Sequence, residues 1–207
     1  MKNLIVYLCL TLCASTSISA QEQSAITINT SENYFDRSPI YDHDQIQLSN
    51  TDTIPDFQSK ANKLKISGTI YQSDGITPAK DVILYIEQAD ELGDFDLRKH
   101  NGKRYVHHRG WIKTDANGHY TFYTFVPGND RRYNQLQQLF PVIKEPNKAE
   151  YKMASFLFDE DPLLSKLCRK RMVKNNDTER ILKPETKDGL LVVQKDIVLS
   201  AGSEDTK

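Results

Sequence analysis

Leu64, Ile66 and Ile70, with Gly68 in phase, alternate with Lys65, Ser67 and Thr69, the period-two pattern of a half-buried strand. Ser73-Asp74-Gly75 supplies turn residues and Pro78 closes the connection. A second strand is expected over 81–87, with Val82, Leu84 and Ile86 on one face and Ile83 and Tyr85 on the other, so that both faces read as buried. Residues 88–109 read as irregular and charged. Segments 110–114 and 119–125 flank Asp115-Ala116-Asn117-Gly118, and an Asn-Gly pair between two alternating runs predicts a hairpin. Further strands are expected over 151–158 and 190–199. One helix is expected, with Asp161 as N-cap, Pro162 at the first helical position, and Leu163, Leu164 and Leu167 as its apolar stripe. About six or seven short strands and a single helix make an all-β chain, a β-sandwich. At roughly 140 residues it buries close to 70% of its unfolded surface, enough to stand without staples.

Three segments lie outside this pattern. Residues 1–20 read as a secretory signal: Lys2 is the basic start, 4–12 an apolar run, and Ser17-Ile18-Ser19-Ala20 a small-residue exit. That run falls well short of the roughly 20 apolar residues of a membrane-spanning helix. The expectation is an exported protein, periplasmic or extracellular, without a transmembrane segment. A lipoprotein anchored through Cys13 is the alternative, although Leu12 stands where such signals take a small residue. Residues 21–62 are rich in Ser, Thr, Asn, Asp and Gln and read as a polar leader or tether, with Tyr34-Phe35 and Ile40-Tyr41 as short anchors onto the domain that follows. The sandwich is placed at 63–200 and a disordered tail at 201–207.

Charge and cysteines narrow the class. The 207 residues carry 27 Lys and Arg against 28 Asp and Glu, a net charge of −1, which gives no global attraction to nucleic acid. Cys9 and Cys13 fall in the signal, so Cys168 would remain alone and a disulfide scaffold is excluded.

Candidate chemistry is sparse. Of the five histidines only His107 and His108 are grouped. Adjacent strand residues point to opposite faces, so both serve one ion only where the backbone bends; otherwise they are two loop histidines. No Gly-x-Ser-x-Gly or phosphate-cradling glycine loop occurs, and Cys168 has no histidine near it in sequence. Asp159-Glu160-Asp161 reads as a loop and helix cap. Lys166, Arg169, Lys170, Arg171 and Lys174 form a basic cluster that is either a solvated helix end or a surface for an acidic partner. Asn29-Thr30-Ser31 and Asn176-Asp177-Thr178 fit the N-glycosylation pattern, which has meaning only in a cell with that machinery.

The order of motifs is more telling than any one of them. Ile66-Ser67-Gly68-Thr69-Ile70, Asp74-Gly75 with Pro78, and Val82-Ile83-Leu84-Tyr85-Ile86-Glu87-Gln88-Ala89-Asp90 with Gly93 come first. Arg109-Gly110-Trp111, then Thr114-Asp115-Ala116-Asn117-Gly118-His119-Tyr120-Thr121-Phe122, Thr124 and Pro127-Gly128 follow. Phe156-Leu157-Phe158-Asp159-Glu160-Asp161-Pro162-Leu163 and Asp196-Ile197-Val198-Leu199 complete the series. Over 64–199 this resembles the intradiol ring-cleavage dioxygenases. The resemblance implies a β-sandwich with one short helix after the Asp-Pro-Leu segment. It also implies a ferric ion held by two tyrosines and two histidines, which inserts both atoms of dioxygen into a catechol between its hydroxyls. Phenolate oxygens are hard donors suited to Fe(III), and a catecholate can displace one of them.

Carried over residue by residue, the ligand set is altered. The first tyrosine position, after Gly93-Asp94, is Phe95; the second, after Pro127-Gly128-Asn129, is Asp130. The His-x-His falls on Gln138 and Phe140, or on Ile143 and Glu145 if Pro141 is the anchor, and the chain has no His-x-His. The family's loop arginine corresponds to Arg131 or Arg132. Tyr105, His107, His108 and Tyr133 are the alternative metal candidates. The expectation is an exported, ligand-deficient relative with a binding or scaffolding role and no resident cofactor. Phe95, Asp130, Gln138 and Phe140 would line a vestigial pocket for a small aromatic or polar ligand. An active dioxygenase with a non-standard metal site, and a surface adhesion or assembly module presenting the basic helix, are the alternatives. Partner and oligomeric state are not legible.

Overall fold

A computed structural model describes residues 34–43 and 46–200; the signal and the C-terminal tail expected from sequence lie outside the described residues. The strands are β1 (Thr51–Thr53), β2 (Lys63–Tyr71), β3 (Ile83–Gln88), β4 (Leu97–His100), β5 (Lys103–Val106), β6 (Arg109–Lys113), β7 (His119–Phe125), β8 (Gln138–Lys144), β9 (Tyr151–Lys152), β10 (Phe156–Phe158), β11 (Ile181–Leu182), β12 (Glu185–Lys187), β13 (Leu190–Gln194) and β14 (Ile197–Val198). The one α-helix among the described residues, α1, is Lys166–Lys174. Two six-stranded sheets stack face to face as a sandwich. One runs β1-β7-β2-β13-β12 with β14 also on β2; the other runs β11-β10-β8-β3-β6 with β9 also on β8. Strands β4 and β5 form a separate hairpin.

The alternation read from β2 is what places it. Leu64, Ile66 and Ile70 are buried and meet Phe122 and Tyr120 of β7 and Leu84, Ile86 and Ile112 of the facing sheet in one core. Gly68 is the exception in that row. A Cβ there would run into the carbonyl of Lys195, and the Asp196 carboxylate accepts the Thr69 N–H at 2.8 Å. The glycine thus admits the crossing where the run expected over 190–199 breaks into β13 and β14, both parallel to β2.

The two-faced apolar pattern of β3 has its cause in the N-terminal segment. Ile40 is buried against Tyr85 and Trp111 on the outer face of the second sheet, and the Trp111 indole donates to the Pro39 carbonyl at 3.1 Å. Residues 49–62, read from composition as tether, carry β1, which runs parallel to β7, and Ile54, which enters the core. Ile54 and Phe57, three residues apart among mostly polar ones, gave no strand period to detect.

Two turns exchange roles. At Asn101-Gly102, inside the stretch read as irregular, both residues have positive φ (46° and 82°) and close the β4–β5 hairpin. Its charged strands carry no apolar alternation. At Asn117-Gly118 only Gly118 is positive, and the Asp115 carboxylate accepts the N–H groups of Asn117 and His119. The chain there passes from the second sheet to the first, so β6 and β7 are not the expected hairpin: β6 pairs with β3, and β7 with β2. The helix also starts later than expected. Ser165 caps α1 by accepting the Cys168 N–H, because the Asp161 carboxylate is engaged by Asn129, Gln137 N–H and Leu163 N–H. The helix phase shifts accordingly: Leu164, Cys168 and Met172 face Leu157, while Leu167 is exposed. The strand expected over 151–158 is interrupted between β9 and β10, and β8, interrupted in pattern by Pro141, is a central strand.

At one end of the sandwich Gln88 joins the sheets. Its amide donates to the Phe125 carbonyl at 3.1 Å and accepts from the Thr124 hydroxyl, and its own N–H donates to the His108 carbonyl at 3.0 Å. Gln88→Met leaves the Thr124 hydroxyl without an acceptor in a dry core. It is expected to lower unfolding stability by about 2–4 kcal/mol in a urea titration; a loss under about 1 kcal/mol would mean that water reaches these groups.

Candidate functional site

The loops beside Gln88 and the start of β8 hold the positions that the resemblance assigns to ligands. Asp90 organises them: its carboxylate accepts the N–H groups of Leu92 and Asp94, and its carbonyl accepts those of Gly93 and Gly128. Gly93, at φ 90°, lies so close to the Asn129 backbone that a Cβ would stand 2.8 Å from its carbonyl. This brings Phe95 toward β8, where its ring centroid is 5.8 Å from that of Phe140. Gln138 opens β8 and accepts from the Ser155 hydroxyl at 3.0 Å.

Asp130 is only 6% exposed. Its carboxylate accepts from Arg132 Nη2 at 2.7 Å, Arg132 Nε at 3.0 Å and the Arg132 backbone N–H at 2.8 Å. The Arg132 guanidinium holds the Asp130 carboxyl below the usual carboxylate range. Arg131 is exposed. In the other register Ile143 lies in the core and Glu145 accepts from Lys148 and Tyr151. Two phenyl rings without lone pairs, a carboxylate already paired and an amide bonded to a serine do not fit a ferric ion that needs phenolate and imidazole donors.

A second cluster lies nearby in the chain. His107 and His108 fall between β5 and β6, where the backbone bends: the His107 carbonyl accepts the Arg109 N–H at 3.0 Å. The bend meets the condition under which adjacent histidines can face one ion. Their rings are 5.2 Å apart. Asp56 joins them, with Oδ2 2.8 Å from His107 Nε2, and ligand atoms of all three residues lie within 4.8 Å of one another. His108 is 3% exposed, edge-on to Phe125, and its Nδ1 is buried without a hydrogen-bond partner. Burial, then the nearby Lys60 and His107 charges, push the His108 imidazole pKa down; the His107 hydrogen bond lowers that of Asp56. Asp56 falls in the segment read as tether, and nothing in its local sequence marks it.

The remaining candidates go elsewhere. Tyr105 lies under the Arg109 guanidinium at 4.0 Å, and Tyr133 is exposed at the tip of its loop. In the basic helix Arg169 is engaged by the Asp159 carboxylate and by the Leu164 carbonyl, which removes it from the exposed cluster. No described helix is long and apolar enough to cross a membrane.

No family model matches the chain, and no curated protein is similar to it in sequence. Solved structures do match. The dioxygenase domain of a dioxygenase carbohydrate-binding protein fusion from Streptomyces sp. SirexAA-E aligns over 69% of this chain and 82% of its own, at 20% identity and a TM-score of 0.52. The intradiol dioxygenase of Tetranychus urticae aligns over 73% and 85%, at 17% identity and 0.54. The fold is that of the intradiol ring-cleavage dioxygenases. Catechol 1,2-dioxygenase from Acinetobacter radioresistens aligns over 77% of this chain at 13% identity and 0.55, but this chain spans only 60% of it. The intradiol sandwich therefore stands, with α1 as the one α-helix among the described residues, while likeness at these identities speaks for the fold alone.

The Asp130–Arg132 pair has a pH signature. A depressed carboxyl pKa contributes stability above the unfolded value of 3.8 and loses it as pH falls through the folded value. Arg132→Ala is therefore expected to lower the melting temperature at pH 7, with the difference from the parent protein narrowing as pH falls below about 4. A difference that persists unchanged in acid would assign the effect to packing instead.

Proposed function

We propose that the protein is an exported, ligand-deficient relative of the intradiol dioxygenases that uses the sandwich for binding or scaffolding and does not cleave catechols through a tyrosinate–histidine ferric centre. The observation that carries this reading is the state of the four family positions. Phe95 and Phe140 offer only rings, 5.8 Å apart, and Asp130 is held by Arg132. The framework residues of the same loops remain: Gly93 and Gly128 in their close backbone contacts, Asp90 in its turn, and the buried Asp161 carboxylate that ties Asn129 to residue 137. Framework kept and donors replaced is what is expected when the loop architecture still serves and the iron chemistry does not. The apolar contact of Phe95 with Phe140 suits a small aromatic ligand entering between the 90s loop and β8. Export rests on the basic, apolar and small-residue order of residues 1–20.

The purified chain, loaded with Fe(III) and offered catechol or hydroxyquinol, is expected to show no tyrosinate-to-iron absorption band and no oxygen uptake above that of free iron. Colour and oxygen consumption that scale with protein concentration would overturn the reading.

A further inference from the structure

We propose that Asp56, His107 and His108 form a binding site for one divalent transition-metal ion of the zinc(II) or iron(II) class, distinct from Phe95, Asp130, Gln138 and Phe140. The donor set is two imidazoles and one carboxylate, drawn from segments 51 residues apart and brought within 4.8 Å of one another. Zinc is held by N and O donors about 2.0–2.2 Å away, so two ligands of one tetrahedral ion stand about 3.3 Å apart. Asp56 Oδ2 and His107 Nε2 at 2.8 Å need only a small side-chain rotation to admit an ion between them. Two imidazoles with one carboxylate suit Zn(II) or Fe(II) and disfavour Mg(II) and Ca(II), which prefer oxygen alone.

Two observations go beyond a simple ion pair. A hydrogen bond between Asp56 and His107 accounts for those two residues but not for the His108 imidazole, which is buried beside them with Nδ1 unpartnered. The site is graded in exposure, with side chains 52% exposed at Asp56 and 12% at His107 and His108 at 3%. An ion can thus enter from the Asp56 side against a fixed wall. Two cations whose charge reaches the site have carboxylate partners: Lys60 bonds to Glu91 at 2.8 Å, and Arg98 to Asp96 at 2.8 Å. Three protein ligands leave a fourth position open for water or a small anion, the arrangement of catalytic rather than closed structural zinc sites.

The test uses the whole chain without a histidine tag, stripped with a chelator. Zn(II) and Co(II) are titrated against a chromophoric competitor, and Fe(II) is titrated without oxygen. The expected result is one ion per chain, with the visible absorption of a low-coordinate Co(II) ion. Asp56→Asn and His107→Gln, both nearer the solvent than His108, should each weaken binding by more than about tenfold, while His100→Gln leaves it unchanged. Preference for zinc or for iron assigns the class, and either supports the site. Absence of saturable binding, or binding that survives both Asp56→Asn and His107→Gln, overturns it. Neither result depends on whether catechol is cleaved.

Discussion

An amide buried between two sheets has to find its partners or forfeit several kcal/mol, and Gln88 finds all of them at the end of the sandwich where the candidate sites lie. Its side chain fixes β3 against Thr124 and Phe125 of β7, and its backbone N–H holds the His108 carbonyl. Much else follows from that clamp. Leu139 pairs opposite Gln88, which sets the register of β8 and so the heights of Gln138 and Phe140. Phe125 presents its ring to the edge of His108, while Lys60 lies over the same ring at 4.5 Å. Both the positions matched to the family's ferric ligands and the histidine cluster are thus suspended from one buried side chain.

Loops of this kind separate architecture from chemistry. Asp90, Gly93, Gly128 and Asp161 act on backbone: they cap turns, allow close approach and satisfy N–H groups. A metal ligand does none of this, because its donor atom points away from the framework into the site. Donors can therefore be exchanged at little cost to folding, whereas a glycine such as Gly93 cannot. In the proposed reading the chain keeps the second kind of residue in these loops and replaces the first.

How much was legible in the sequence depends on whether the signal was periodic. The alternation of β2 and the two-faced run of β3 identify strands because each residue's burial repeats every second position. Asn101-Gly102 carried the hairpin signal as plainly as Asn117-Gly118, yet the flanking strands of the former are charged on both faces and no period framed it. Asp161 looks like a helix cap because capping chemistry is local; that its carboxylate instead serves Asn129 and residue 137 depends on a loop more than 20 residues away. The likeness to the intradiol dioxygenases was readable because motif order survives when individual motifs are weak.

The sequence alone determined the two-sheet class and the short helix after Asp-Pro-Leu, since both follow from periodic or local signals in residue identity. Only the tertiary structure decided which turn pairs strands and which changes sheets, that residues 49–62 belong to the sandwich, and that Asp56 meets His107 and His108. Such contacts join segments far apart in the chain, and sequence spacing carries no information about them until the core has fixed where each segment runs.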